Sequence, residues 1–148
     1  MKAISLWQPW ASLIATGAKT FETRGWPTTY RGPLAIHAAR RDTTDIRALM
    51  HNWQFQGGLA PLMGKPVDYE TKEWYGVTWE MLPKGAILCI VNVLDCIATQ
   101  GLKNGDYYKE RYFGDYTPGR FAWKLELVEV LKKPIETKGS QGFFEYGI

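Results

Sequence analysis

The chain has 148 residues, the length of one domain able to bury a core without disulfide or metal staples. Its 18 Lys and Arg against 15 Asp and Glu leave a net charge of +3, which suits an anionic partner but not the dense basic stripe of a duplex DNA binder. Two Cys and two His without paired ligand spacing speak against zinc, and no N-terminal apolar run reaches signal-peptide or membrane-span length. A soluble cytoplasmic protein is expected, monomer or weak dimer, with no metal, no cofactor and no membrane partner. Aromatic residues make up 14% of the chain, a high share, so some rings are candidates for stacking surfaces while most fill core.

Residues 3–7 (AISLW) read as a strand. Gln8 precedes Pro9, which suits the first turn of a helix. Trp10, Leu13 and Ile14 recur at helical spacing, so the pattern predicts a helix over 9–16 that Gly17 ends. A strand over 20–24 follows, with Thr20, Glu22 and Arg24 on one face and Phe21 and Thr23 on the other. In a regular strand Lys19 lies with Phe21; it joins Glu22 only if the chain bends just after Gly17. Nowhere else do a lysine, a carboxylate, two hydroxyls and an arginine fall within six positions.

Turn residues from Gly25 to Pro33 lead to a third strand, Leu34–Ala39. Its His37 shares a face with two alanines that leave room above the ring, a pattern equally suited to a hydrogen-bonded core histidine and to a site histidine. Residues 43–53 carry an amphipathic helical pattern capped by Asp42 or Thr43. Residues 54–84, rich in Gly and Pro and interleaved with Trp74, Tyr75 and Trp79, read as an irregular insertion packed by its own aromatics or as a lid. Gly85–Cys96 is apolar on both alternations, a central strand buried on both sides. Its Cys89 and Cys96 lie about 23 Å apart along a strand and point to opposite faces, so both are expected as free thiols in a reducing cytosol. Asp95 fits a turn better than a site. Residues 106–113 suit a short helix, and Arg120–Leu131 a strand with Phe121, Trp123, Leu125 and Leu127 facing inward. Short strands separated by turns predict an α+β fold: a small, mostly antiparallel β-barrel with short peripheral helices.

The octapeptide Gly17–Arg24, GAKTFETR, resembles the G-x-K-x-x-E-x-R signature of the ASCH domain, a small β-barrel family related to the PUA fold. Gln8-Pro9-Trp10-Ala11 is similar to the family's Q-P-[WY]-A approach to its first helix. Residues Ala35–Asp42 resemble the A-x-H-x-A-x-R-D run of the EOLA-like branch, the endothelium-overexpressed lipopolysaccharide-associated factors. Lys138-Gly139 with Gly142-Phe143-Phe144 resembles the family's short C-terminal element. The likeness is close over the first 42 residues, loose over the later strands and slight over 43–84. It implies a single PUA-like domain over 1–148 with the insertion at 54–84.

The resemblance also implies two activities. One is RNA binding in the cleft that holds the signature residues. The other, known for some small bacterial members, removes the acyl group from N4-acetylcytidine with a lysine, a threonine three residues later and a remote glutamate. Lys19 matches the lysine and Arg24 the arginine, but Glu22 stands at the threonine position. A catalytic set of Lys19, Glu22, Thr20 and Arg24 is then expected. Glu22 serves as general base on water, and Lys19 holds its charge or polarises the acyl carbonyl. Thr20 orients the water or acts as nucleophile, and Arg24 holds Glu22 or a phosphate. Trp7, Gln8, Thr23, Trp26, His37, Phe144 and Tyr146 are the expected substrate-binding residues, the aromatic rings by stacking on a pyrimidine. The expected function is metal-independent removal of acyl groups from N4-acylated cytosine or cytidine derivatives in a nucleoside-sized cleft, with a modified cytidine or related small molecule as partner. The alternative is a non-catalytic module for single-stranded RNA, its cleft open to basic surface at Arg31, Arg40 and Arg41.

Overall fold

Residues 1–147 are described by a computed structural model. Six strands form one sheet: β1 (Lys2–Leu6), β2 (Phe21–Arg24), β3 (Gly32–Ala38), β4 (Ala86–Ala98), β5 (Phe121–Glu136) and β6 (Phe143–Glu145). Their order is β2-β5-β4-β3-β1-β6. β1 and β3 pair in parallel, joined by a crossover that contains helix α1 (Trp10–Ala15); the other pairings are antiparallel. The α+β class and the mostly antiparallel sheet agree with expectation. The sheet curls into a half-barrel with β2 and β6 at its two ends. Between those ends Trp26 meets Trp123 at 4.8 Å, Trp123 meets Phe143 at 5.5 Å and Trp26 meets Phe143 at 5.8 Å between ring centroids. Aromatic packing, not a hydrogen-bond ladder, bridges that side.

Helix α1 is short because Gly17 stops it, with φ of +87° in the left-handed region where glycine carries no Cβ penalty. Its Ala11 and Ile14 pack into the sheet core with Ile4, Leu34, Ile36 and Trp123. Leu13 faces a second apolar cluster made with Phe55, Leu59, Val77, Trp79 and Phe113. One helix therefore ties the sheet to the segment beyond it.

That segment departs from expectation. The pattern over 43–53 does not form one helix: α2 (Thr44–Ala48) runs into a 3₁₀ turn at Leu49–His51, and Asn52 breaks it. Asn52 is extended, and its side-chain oxygen accepts from the Gln54 and Phe55 amides, so it caps a new helix, α3 (Trp53–Gly58). Gly57 and Gly58 belong to this helix rather than to a loop. A Cβ on Gly57 would fall 2.0 Å from the Asp68 carbonyl oxygen, and one on Gly58 would fall 2.5 Å from Leu13 Cδ2. The fully buried Gln56 holds the following stretch: its amide donates to the Met50 and Val77 carbonyls, and its oxygen accepts from the Val77 amide. Residues 54–84 are thus pinned into the second core cluster.

On β5 the inward pattern holds through Leu125 and then fails, since Leu127 is exposed. Just beyond it a register shift between Ile90 and Val91 leaves Val128 as an extra residue on β5, and Val128 and Val130 are exposed as well. Residues 106–113 form helix α4 (Asn104–Tyr107) followed by 3₁₀ turns over Tyr108–Phe113. Both cysteines are free thiols, Cys89 buried and Cys96 half-buried.

Candidate functional site

The signature segment begins with a bend. The Lys19 amide donates to the Leu13 carbonyl at 3.0 Å and regular strand starts only at Phe21, so the Lys19 side chain turns inward beneath β2. Its Nζ donates to the Phe21 carbonyl at 2.5 Å and the Phe113 carbonyl at 2.9 Å, and lies 3.6 Å from Glu22 Oε1. The bend that would bring Lys19 to Glu22 is present. At 2% exposure, however, the ammonium is enclosed, and it lines neither half of the cleft that Glu22 and Arg24 border. Burial pushes its pKa below the ordinary lysine value, against the opposing pull of Glu22 and Glu110.

Glu110 is the buried carboxylate that sequence reasoning missed. Its Oε1 accepts from the Thr20 and Phe21 amides, both at 2.8 Å, and its Oε2 accepts from the Thr20 hydroxyl at 2.6 Å. Together Lys19 and Glu110 clamp the 108–113 turns onto the start of β2. Thr20 differs from expectation for the same reason. It precedes the regular strand and spends its hydroxyl on Glu110, so it does not stand beside Glu22 in the cleft. The partners are 90 residues apart, and no local pattern around Glu110 signals the contact.

A cleft of two halves crosses the open side of the sheet, and the halves meet at Ser5, Trp7 and Arg24. The larger, about 740 Å³, is bordered by Trp26, His37, Arg40 and the Thr137–Gly142 loop. The smaller, about 510 Å³, is bordered by Glu22, Thr23, Tyr112, Asp115 and Arg120. Glu22 and Thr23 border the same half although they alternate along β2, because β2 is an end strand and the cleft wraps its edge. Arg24 organises the junction: Nε donates to Glu22 Oε2 at 2.9 Å and Nη2 to the Ser5 carbonyl at 3.2 Å. Its guanidinium lies 6.0 Å from the Trp26 ring, and Arg41 sits 4.2 Å from the Trp7 ring. Trp7 and Trp26 are 47% and 38% exposed, large rings held out toward solvent at the two sides of Arg24. Tyr112, 47% exposed, carries Arg111 at 4.5 Å at the far end of the smaller half.

The other expected residues divide. His37 walls the larger half but is only 2% exposed, with both ring nitrogens engaged: Nδ1 with Ser5 Oγ at 2.8 Å and Nε2 with the Thr137 carbonyl at 2.7 Å. Gln8 is wholly buried; its amide donates to Ser12 Oγ and the Pro83 carbonyl, and its oxygen accepts from the Ser12 amide. It organises the start of α1 and does not reach the cleft. Phe144 and Tyr146 pack with Ala3, Ala35 and Ile87 on the face of β1 and β3 that also carries Ser5 and His37, and Phe144 meets the His37 ring edge-on at 5.8 Å, but neither ring borders the two halves of the cleft. Strand alternation puts Phe143 on the other face of β6, against Trp26, Trp123 and the main core. Of the basic residues, Arg40 borders the cleft while Arg31 pairs with Asp95 at 3.6 Å away from it. The 54–84 segment lines neither half. Among the described residues no group of three or more His, Cys, Asp or Glu converges to hold a metal, and no helix is long and apolar enough to cross a membrane.

Comparison with known proteins adds to this geometry. The sequence model of a family described as "ASCH domain" matches residues 4–135. Human Activating signal cointegrator 1 is 30% identical over 100 residues, which is 68% of this chain and 15% of that protein. Its mouse counterpart is 31% identical over 97 residues, 64% of this chain and 14% of that protein. The chain thus spans about a seventh of the length of these relatives. The crystal structure of ASCH from Zymomonas mobilis superposes with a TM-score of 0.55 at 16% identity, covering 99% of this chain and 87% of that one. A point mutant of the same bacterial protein gives 0.54 at 16% identity, covering 99% and 89%. At that identity the structural likeness concerns the fold.

Proposed function

Because the chain belongs to the ASCH domain family, we propose that its cleft binds single-stranded RNA. The observation that carries this reading is a groove bordered by the exposed rings Trp7, Trp26 and Tyr112, each with an arginine against it: Arg41, Arg24 and Arg111, of which Arg24 also lines the groove. Rings of this kind stack on unpaired bases, and guanidinium groups serve both the rings and the phosphates. Arg40 and Lys138 beside the larger half add positive charge along the same path. Fluorescence anisotropy with a labelled single-stranded oligoribonucleotide tests it. Binding should weaken as salt rises, and Trp7→Ala and Trp26→Ala should each cost about 1–3 kcal/mol, the value of one base–aromatic stack. A wild-type chain that shows no binding at low salt, or variants that bind as wild type does, would refute it.

A second reading, removal of acyl groups from N4-acylated cytidines, draws on Glu22. Its side chain is 12% exposed at the smaller half and is held between Lys19 and Arg24. In this arrangement Glu22 takes the proton of an attacking water, and Lys19 acts on Glu22 rather than on the substrate carbonyl. Hydrolysis of N4-acetylcytidine and N4-benzoylcytidine by wild type, lost in Glu22→Gln, would support it. No turnover by wild type removes it and leaves the RNA-binding module.

A further inference from the structure

We propose that Ser5 and His37 form a nucleophile–base pair for acyl transfer at the junction of the two halves of the cleft. The two residues face each other in the parallel register of β1 and β3. Their hydrogen-bond geometry fixes who donates. The Thr137 carbonyl can only accept, so His37 Nε2, 2.7 Å away, carries the ring proton. The Nδ1 lone pair is then the acceptor for the Ser5 hydroxyl at 2.8 Å. A hydroxyl nucleophile requires this arrangement: a base aimed at its oxygen and a third group that locks the base in one tautomer.

Three further features suit the pair to chemistry. Burial holds the His37 imidazole below its ordinary pKa, so it is a neutral base at pH 7. Ser5 borders both halves of the cleft. The Arg24 guanidinium lies 3.2 Å from the Ser5 carbonyl oxygen, close enough to supply positive charge to an oxyanion formed at this residue. Gly139 lies over the pair: a Cβ there would fall 2.5 Å from Ser5 Oγ and 2.6 Å from the His37 ring. Any other residue at that position would cover the hydroxyl.

The reaction balances without a cofactor. Ser5 Oγ attacks the acyl carbonyl carbon as its proton passes to His37 Nδ1, and the oxyanion forms beside Arg24. Collapse breaks the bond to the leaving oxygen or nitrogen, which departs with the proton from Nδ1 and leaves an acyl ester on Ser5. Water then attacks that ester, gives one proton to Nδ1, and releases the carboxylic acid as Oγ recovers the proton. The substrate class is an O- or N-acyl group carried on a nucleoside. That carrier rests on the proposed RNA-binding role of the cleft, whereas the Ser5–His37 chemistry does not.

The test uses the full chain and a fluorophosphonate probe, read by intact mass and peptide mapping. One adduct on Ser5 is expected, absent in Ser5→Ala and formed about a hundredfold more slowly in His37→Gln, the loss typical of a missing general base. Should His37→Gln fail to fold, Ser5→Cys in a Cys96→Ser background replaces it, with iodoacetamide at neutral pH as the probe. The thiol of Ser5→Cys should alkylate about tenfold faster than an ordinary exposed cysteine, because His37 favours its thiolate. A chain that binds oligonucleotide but takes no phosphonate overturns the dyad alone. A chain that takes phosphonate at Ser5 but binds no oligonucleotide sustains the dyad and sinks the RNA reading.

Discussion

Replacing Glu110 with alanine probes the joint between β2 and the 108–113 turns. The substitution removes the acceptor of three hydrogen bonds, from the Thr20 amide, the Phe21 amide and the Thr20 hydroxyl. Bonds to a charged group are worth about 1.5–3 kcal/mol each, but they do not simply add. Thr20 is exposed, so water replaces most of what its two groups lose. The Phe21 amide stays dry and bears the full cost of a buried donor left unpartnered. Lys19 also loses one of the two carboxylates that offset its burial, while Glu22 remains 3.6 Å away. The sum is a destabilisation of about 3 kcal/mol, dominated by Phe21. For a chain of this size the melting temperature should fall by about 6–12 °C. Urea unfolding followed by tryptophan fluorescence measures the loss directly, with an unchanged m-value showing that the denatured state is the same. Glu110→Gln keeps one acceptor oxygen for the strand amides and should cost about 1 kcal/mol. A Glu110→Ala chain within about 0.5 kcal/mol of wild type, the range of an ordinary surface change, would show that the clamp contributes nothing to the fold.

Gly57→Ala should destabilise the chain by about 1–3 kcal/mol, since its new methyl meets the Asp68 backbone at 2.0 Å and neither side is a flexible chain end; calorimetry of the variant checks it. Burial holds His37 below the ordinary imidazole value of 6.5, so below about pH 6.5 the unfolded chain binds more protons than the folded one. Stability should therefore fall as pH drops from 6.5 toward the folded value, and His37→Gln, if it folds, should flatten that limb of the urea-midpoint profile. The two thiols should separate under Ellman's reagent. Half-buried Cys96 reacts in the native state, while Cys89, buried and with its pKa pushed up to about 12, reacts only on unfolding. Equal native rates for the two would contradict the burial of Cys89.

Local pattern was enough for much of this protein. The apolar run of β4, the alternation along β5 as far as Leu125, the glycine that stops α1, and the density of Lys19, Glu22 and Arg24 within one short stretch are all properties of neighbours in sequence. The bend after Gly17 needed only a positive-φ glycine, and it carried Lys19 to Glu22. Free cysteines followed from strand spacing alone.

Tertiary structure decided what depended on distant partners. Whether Lys19 faces ligand or core was set by the Phe113 carbonyl and Glu110, which arrive from about 90 residues away and enclose it. Gly57-Gly58 has the composition of a loop, yet it is helix because Asp68 and Leu13 need its bare backbone. The helical pattern over 43–53 reads as continuous until Asn52 finds two amides to cap. Gln8 passes for a polar residue at a cleft mouth until the Pro83 carbonyl claims its amide. The Ser5–His37 pair exists only because β1 and β3 lie side by side in parallel, a pairing that no residue near either one announces. Sequence periodicity reports which face of an element is apolar. It does not report which backbone carbonyl or carboxylate will stand opposite a polar side chain, and in this cleft that choice separates the structural residues from those left to meet a ligand.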